Sequence, residues 1–235
     1  MKRIAPASLL PRLQGKVGMG LLFGPPRVLH KLMPIRQTQP ESRQLDLLGG
    51  GIASTELHRL FFALMPDEAT SSRLAATAEA LRSNHPELRA RWINPSRYHA
   101  TLHFLGNHSA LRPSLVDGAM AAADKIHTTP FTWTLDSVAS FRGREPPCVL
   151  RTAEVPDPMQ QLWHALRHTL TLAGQGGHLE RSFTPHVTLA YSRGVMLEPA
   201  HIEPATWQVT DFVLVHNVVG QGGYEILGRW GLAEG

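Results

Sequence analysis

The chain has a single cysteine, Cys148, among 235 residues. That excludes an internal disulfide and a cysteine-rich metal site. Its neighbours, Pro147-Cys148-Val149-Leu150, read as a strand in which the thiol is a small core residue. This cysteine usage fits a reducing compartment, and a cytoplasmic location is expected. No apolar run approaches the roughly 20 residues that a membrane-spanning helix needs. The best early one is only Met19 to Phe23. A signal peptide is not expected, because Pro6, Pro11, Arg12 and Lys16 interrupt the place where its apolar core would lie. The acidic residues form no ligand cluster of usual metal-site spacing, and the glycines at 174, 176 and 177 read as a helix stop rather than a phosphate-binding loop. Neither a metal nor a cofactor is therefore expected.

The net charge of +4 hides an asymmetry. Residues 1–55 carry eight Lys or Arg against Glu41 and Asp46, a net of +6, while the other 180 residues carry 15 bases and 17 acids, a net of −2. The high pI belongs to the N-terminal segment, so the remainder is not a broadly basic nucleic-acid binder; any RNA it meets is met at a local site. Prolines at 6, 11, 25, 26, 34 and 40 and the Gly49-Gly50-Gly51 run oppose regular structure. Residues 1–55 are accordingly read as a disordered basic extension, and residues 56–235 as one two-lobed unit. With 43% of the residues of the whole chain hydrophobic, there is enough apolar material for a real core.

Within it, Arg59 to Met65 is a buried-type strand stopped by Pro66, and 67–83 is a helix with Leu74, Ala78 and Leu81 on one face. Helices are also expected over 112–126 and 157–174. Strands are expected at 91–93, 99–105, 130–141, 147–153, 186–191, 207–216 and 223–230, the last two joined by a turn at Gly220-Gln221-Gly222-Gly223. The order reads as α+β with largely antiparallel sheets.

One short pattern occurs twice, as His99-Ala100-Thr101-Leu102 and His186-Val187-Thr188-Leu189, 87 residues apart. Side chains on a strand alternate faces. Each copy therefore offers an imidazole and a hydroxyl on one side and buries the intervening residues. By the same alternation His103 shares the face of His99 and Thr101. Two such strands across a cleft suit phosphoryl transfer without metal. One imidazole can act as base and the other as acid near neutral pH, and the hydroxyls can donate to phosphate oxygens where charge develops. His164 and His168 lie at i, i+4 on a helix but lack the glutamate of a zinc-protease helix, so they read as a solvated face.

The paired motifs resemble those of the two-histidine phosphoesterase superfamily and, more narrowly, the RNA 2′,3′-cyclic phosphodiesterases or 2′-5′ RNA ligase-like proteins. The likeness spans roughly residues 57–232. It includes Leu60-Phe61-Phe62-Ala63-Leu64, Arg91-Trp92, His99 through Gly106, Phe183 through Ala190, and Tyr224 through Leu227 with Trp230. The resemblance implies a bilobal fold, each lobe an antiparallel sheet with helices, and a cleft between them. It implies His99 as proton donor to the leaving ribose oxygen, His186 as the base for water, and Thr101 and Thr188 as phosphate-holding hydroxyls. It implies an RNA partner with a 2′,3′-cyclic phosphate end, tRNA fragments among the candidates, and a 2′-phosphate product. An RNA 5′-hydroxyl in place of water would give 2′-5′ ligation. A monomer without membrane contact is expected. Close relatives often carry an arginine where this chain has Tyr191; Arg193, two residues on, is a candidate substitute, and Tyr191 a candidate for stacking on a base. His103, Tyr191 and Arg193 are thus candidates for lining the cleft. Small cyclic nucleotides as substrates, and a non-catalytic RNA- or nucleotide-binding module, stay open.

Overall fold

The computed structural model describes residues 56–233; the expectation for residues 1–55 lies outside them. The first strand, β1 (His58–Leu64), carries the run of apolar residues read above and is buried from Leu60 onward. Helix α1 (Glu68–Asn84) follows at once, because Asp67 caps it by accepting from the Thr70 backbone N–H at 2.6 Å. A short strand β2 (Arg91–Trp92) precedes β3 (Ala100–His108), which is followed by α2 (Pro113–Ala123). Then come β4 (Phe131–Ser140), β5 (Pro147–Arg151), α3 (Asp157–Leu172) and β6 (Val187–Tyr191). The chain closes with β7 (Ala200–Val209), β8 (Asp211–Val218) and β9 (Glu225–Gly231).

These strands make two antiparallel sheets, one ordered β3-β1-β8-β9 and the other β2-β6-β5-β4-β7. The fold is α+β and bilobal, as expected. The first motif leads into β3 of one sheet and the second into β6 of the other. Helices are exchanged between the lobes. Although α1 follows a strand of the first sheet, Arg73 donates to the Thr206 carbonyl of β7 at 2.8 Å. Conversely, α3 follows β5 of the second sheet, and its Trp163 Nε1 donates to the Leu102 carbonyl of β3 at 3.0 Å. One continuous apolar core, running from Leu60 and Leu102 to Leu150 and Leu189, therefore underlies both sheets. No helix of the described residues is long and apolar enough to cross a membrane.

Two local readings are corrected. Residues 207–216, read as one strand, are the end of β7 and the start of β8, broken at Thr210, and the first part of β7 is an unforeseen strand. Its Pro204 argues against a strand by sequence, yet β7 is an edge strand and its pairing with β4 is irregular beside that proline. An edge is where a missing N–H costs no ladder bond. Also, both motif histidines stand one residue before their strands rather than on them.

Candidate active site

The two His-x-Thr-Leu segments have the same tertiary shape. In the first, β1 pairs Phe62 with His103 and Ala63 with Thr101, leaving Leu102 as an extra residue. In the second, β5 pairs Val149 with Thr188 and Cys148 with Ala190, leaving Leu189 as the extra residue. A bulge inserted after each threonine puts two successive residues on one face and reverses the alternation beyond it. The burial patterns match accordingly, with Ala100, Leu102 and His103 buried around a half-buried Thr101, and Val187, Leu189 and Ala190 around Thr188. Three residues after each threonine the chain returns to the cleft side, at Phe104 and Tyr191.

This parity change corrects the expectation for His103. It points away from Thr101 into the core, 1% exposed, with Nε2 donating to the Trp163 carbonyl at 2.9 Å and its ring stacked on that indole. His103 does not line the cleft. Arg193 lies past the end of β6, exposed, with Nε 3.8 Å from Glu145. The candidate substitute is therefore not on the strand that carries Tyr191. Tyr191 does lie on the cleft side and is half-buried there. Both His164 and His168 are exposed, as expected, and Cys148 is buried in the core, with burial pushing its thiol up to about 11.

The histidines are held alike. Nδ1 of His99 is 2.8 Å from the Arg97 carbonyl oxygen, and Nδ1 of His186 is 2.8 Å from the Thr184 carbonyl oxygen. A carbonyl only accepts, so each Nδ1 carries its hydrogen and each Nε2 is left for chemistry. Aromatic rings fix the imidazoles. Phe61 and Tyr224 flank His99, at 5.3 and 5.4 Å between ring centroids, and the edge of Phe141 packs on His186 at 4.9 Å. Burial lowers the pKa of both histidines below the ordinary 6.5, opposed by the carbonyl hydrogen bond. For His99 the next causes are the charges of His186 and Arg97; for His186 it is Arg151. The charge of His186 thus bears on His99. Among the described residues neither Thr101 nor Thr188 has a hydrogen-bond partner for its hydroxyl, so both are available to a ligand.

Sequence reasoning singled out no cleft arginine besides Arg193. The structure places three others there, each over an aromatic ring. Arg91 lies over Tyr191 at 4.8 Å, Arg97 over Tyr224 at 4.7 Å and Arg151 over Phe141 at 5.7 Å. None has a carboxylate partner among the described residues. The available signal was Arg97, two residues before His99; the other two are placed by strand pairing. No group of three or more His, Cys, Asp or Glu among the described residues is arranged to hold a metal ion.

A family model described as LigT-like phosphoesterase matches residues 64–150. A crystal structure titled simply phosphoesterase superposes with a TM-score of 0.61 at 28% identity, covering 75% of this chain and 99% of that one. Escherichia coli LigT in its apo form superposes with a TM-score of 0.61 at 27% identity, covering 76% of this chain and 99% of that one. The chain is similar to the LigT-like phosphoesterases of the two-histidine superfamily. A Thermus thermophilus protein, 23% identical with a TM-score of 0.60 over 74% of this chain and 97% of its own, shares the fold of this LigT-like chain. E. coli LigT has also been crystallised with 3′-AMP, ATP, phosphate and NADP+. No curated protein matches the chain. This likeness supports a phosphoesterase activity.

Proposed function

We propose that the protein hydrolyses 2′,3′-cyclic phosphodiester ends of RNA to 2′-phosphomonoesters, with His186 as base and His99 as acid. The observation that carries this reading is the matched pair of histidines, each fixed through Nδ1 by the carbonyl two residues back and each offering Nε2 to one cleft. Neutral Nε2 of His186 takes a proton from water as the water oxygen bonds to phosphorus. The P–O3′ bond breaks, and Nε2–H of His99 delivers its proton to the departing O3′. Thr101 and Thr188 donate to the non-bridging oxygens, where charge gathers. A strained five-membered cyclic phosphate needs no further activation. The nucleotides crystallised with E. coli LigT support a nucleotide ligand, and the unpaired arginines support an anionic one. The same arrangement accommodates an RNA 5′-hydroxyl in place of water, which would join ends by a 2′-5′ bond.

The direct test is a short RNA with a 2′,3′-cyclic phosphate end, incubated with the full chain in EDTA, with 2′- and 3′-phosphate products resolved. A 2′-phosphate product is expected. Accumulation of the 3′-phosphate, or activity abolished by EDTA, would defeat the proposal.

The pH profile follows from the same pair. The reaction needs His186 neutral and His99 protonated, so the rate is bell-shaped. The profile of kcat/KM reports the free enzyme, where burial holds both pKa values below 6.5. The maximum of kcat/KM is therefore expected below pH 6.5. The profile of kcat is expected at higher pH, because the bound phosphate anion favours the imidazolium of His99. A kcat/KM profile still rising at pH 8 would contradict this assignment.

A further inference from the structure

We propose that Arg91, placed over the ring of Tyr191, is the cation that grips the phosphodiester oxygens of the substrate in this cleft; the inference rests on the phosphodiesterase reading above. Arg91 on β2 and Tyr191 on β6 are directly opposite in the antiparallel register. Tyr191 faces the cleft because of the bulge after Thr188. The guanidinium carbon sits 4.8 Å from the ring centroid. A guanidinium over an aromatic ring is held there by cation–π attraction while its N–H donors stay unspent. That planar fork matches two oxygens of one phosphate.

Its position beside the two histidines is equally specific. Burial pushes the pKa of the Tyr191 hydroxyl up, opposed by the charge of Arg91, with Tyr224 adding to the rise and Arg59 and Arg97 opposing it more weakly. Tyr224 and Arg97 are the groups that pack on and around His99. Of the three stacked arginines, Arg97 acts on the protonation of His99 and Arg151 on that of His186, whereas Arg91 is a cause of neither shift. A cation too near the acid discourages the imidazolium that the reaction requires. Arg91 can attract the phosphate without that penalty. The neighbouring basic residue, Arg193, is already paired with Glu145.

The test compares wild type, Arg91→Gln, Arg91→Lys and the cross-strand double variant Arg91→Gln/Tyr191→Arg, with Arg82→Gln on α1 as a surface control. Kinetics use the RNA with a cyclic phosphate end. Equilibrium binding uses the same RNA carrying a 2′-phosphate end. Arg91→Gln is expected to raise KM and Kd about 10- to 100-fold, the cost of a charge-assisted hydrogen-bond pair, with a smaller change in kcat. The slope of log Kd against log salt is expected to lose about 0.7, one phosphate contact to a single strand; a merely structural role would not move it. Arg91→Lys is expected to keep the slope but not the full affinity. The double variant is expected to recover at least tenfold, because an arginine at 191 places the guanidinium on the same face directly across the ladder. Wild-type affinity and slope in Arg91→Gln would overturn the proposal. So would a double variant as weak as the single one, or no binding of the 2′-phosphate RNA by the wild type. Absence of turnover by the wild type defeats the phosphodiesterase reading instead, while the Kd comparison still decides the role of Arg91.

Discussion

Replacing His186 by alanine is expected to lower kcat/KM on cyclic-phosphate RNA by ~10²- to 10⁴-fold, and His99→Ala by a similar factor. Each removes one proton transfer from a step in which both occur together. The double variant is expected to be little worse than either single one, because residues that act as a unit are not additive. The two roles separate with a phosphodiester whose leaving group is a nitrophenol. Such a group departs as a stable anion and needs no acid. His99→Ala is then expected to approach wild-type rate, while His186→Ala stays impaired for want of a base. Activity within threefold of wild type on RNA in either single variant would remove that histidine from the mechanism. Recovery of His186→Ala rather than His99→Ala would exchange the assigned roles. Both imidazoles are half-buried and hydrogen-bonded to their own preceding loops, with His99 Nδ1 also 3.5 Å from the Tyr224 hydroxyl, so the variants are expected to fold.

The second large effect is on stability, through His103. Burial lowers the pKa of this imidazole to about 4. Protonation would bury a charge and add a hydrogen at Nδ1, which has no hydrogen-bond partner. In the unfolded chain the same group titrates near 6.5. Between these values the unfolded state binds the extra proton, so stability is complete above about pH 6.5 and declines as pH falls toward 4. A difference of ~2.5 pH units is worth about 3 kcal/mol, a large fraction of the stability of an ordinary domain. Denaturant unfolding at pH 7, 6, 5 and 4.5 reads it directly. His103→Gln can still donate to the Trp163 carbonyl but does not titrate. Its stability is expected to fall less steeply over the same range, whatever its stability at pH 7. Parallel curves for the two proteins would show that His103 contributes nothing to acid sensitivity. Both catalytic candidates titrate in the same direction and contribute to both curves alike.

The acid sensitivity of His103 and the placement of Arg91 depend on the same feature of the fold. The bulge after each motif threonine sends His103 inward and brings Tyr191 out to meet Arg91. It gives the chain a buried, acid-sensitive imidazole against α3 in one lobe and a stacked cation in the other. The second lobe has Ala190 where the first has His103, so the acid-sensitive contact belongs to the first sheet alone.

Much of this protein was legible along the chain. The apolar run of β1, the Asp67 cap and the face of Leu74, Ala78 and Leu81 are local features, dictated by side-chain period and by the free N–H groups of a helix start. The repeated His-x-Thr-Leu was sufficient to nominate two histidines and two threonines, which stand at the starts of β3 and β6 in matching local geometry. What local sequence could not determine was everything that depends on a partner strand. A bulge is a property of a pairing, so the alternation that placed His103 beside Thr101 was sound for an isolated strand and wrong for β3 against β1. The edge position that lets β7 tolerate Pro204 is visible only once β4 is beside it. The exchange of α1 and α3 between lobes, and the meeting of Arg91 with Tyr191 from 100 residues away in sequence, were decided by which sheet each strand joined. Sequence determined which chemical groups were present and which faces had to be buried; the long-range pairing of strands decided which of those groups share the space where the reaction is proposed to occur.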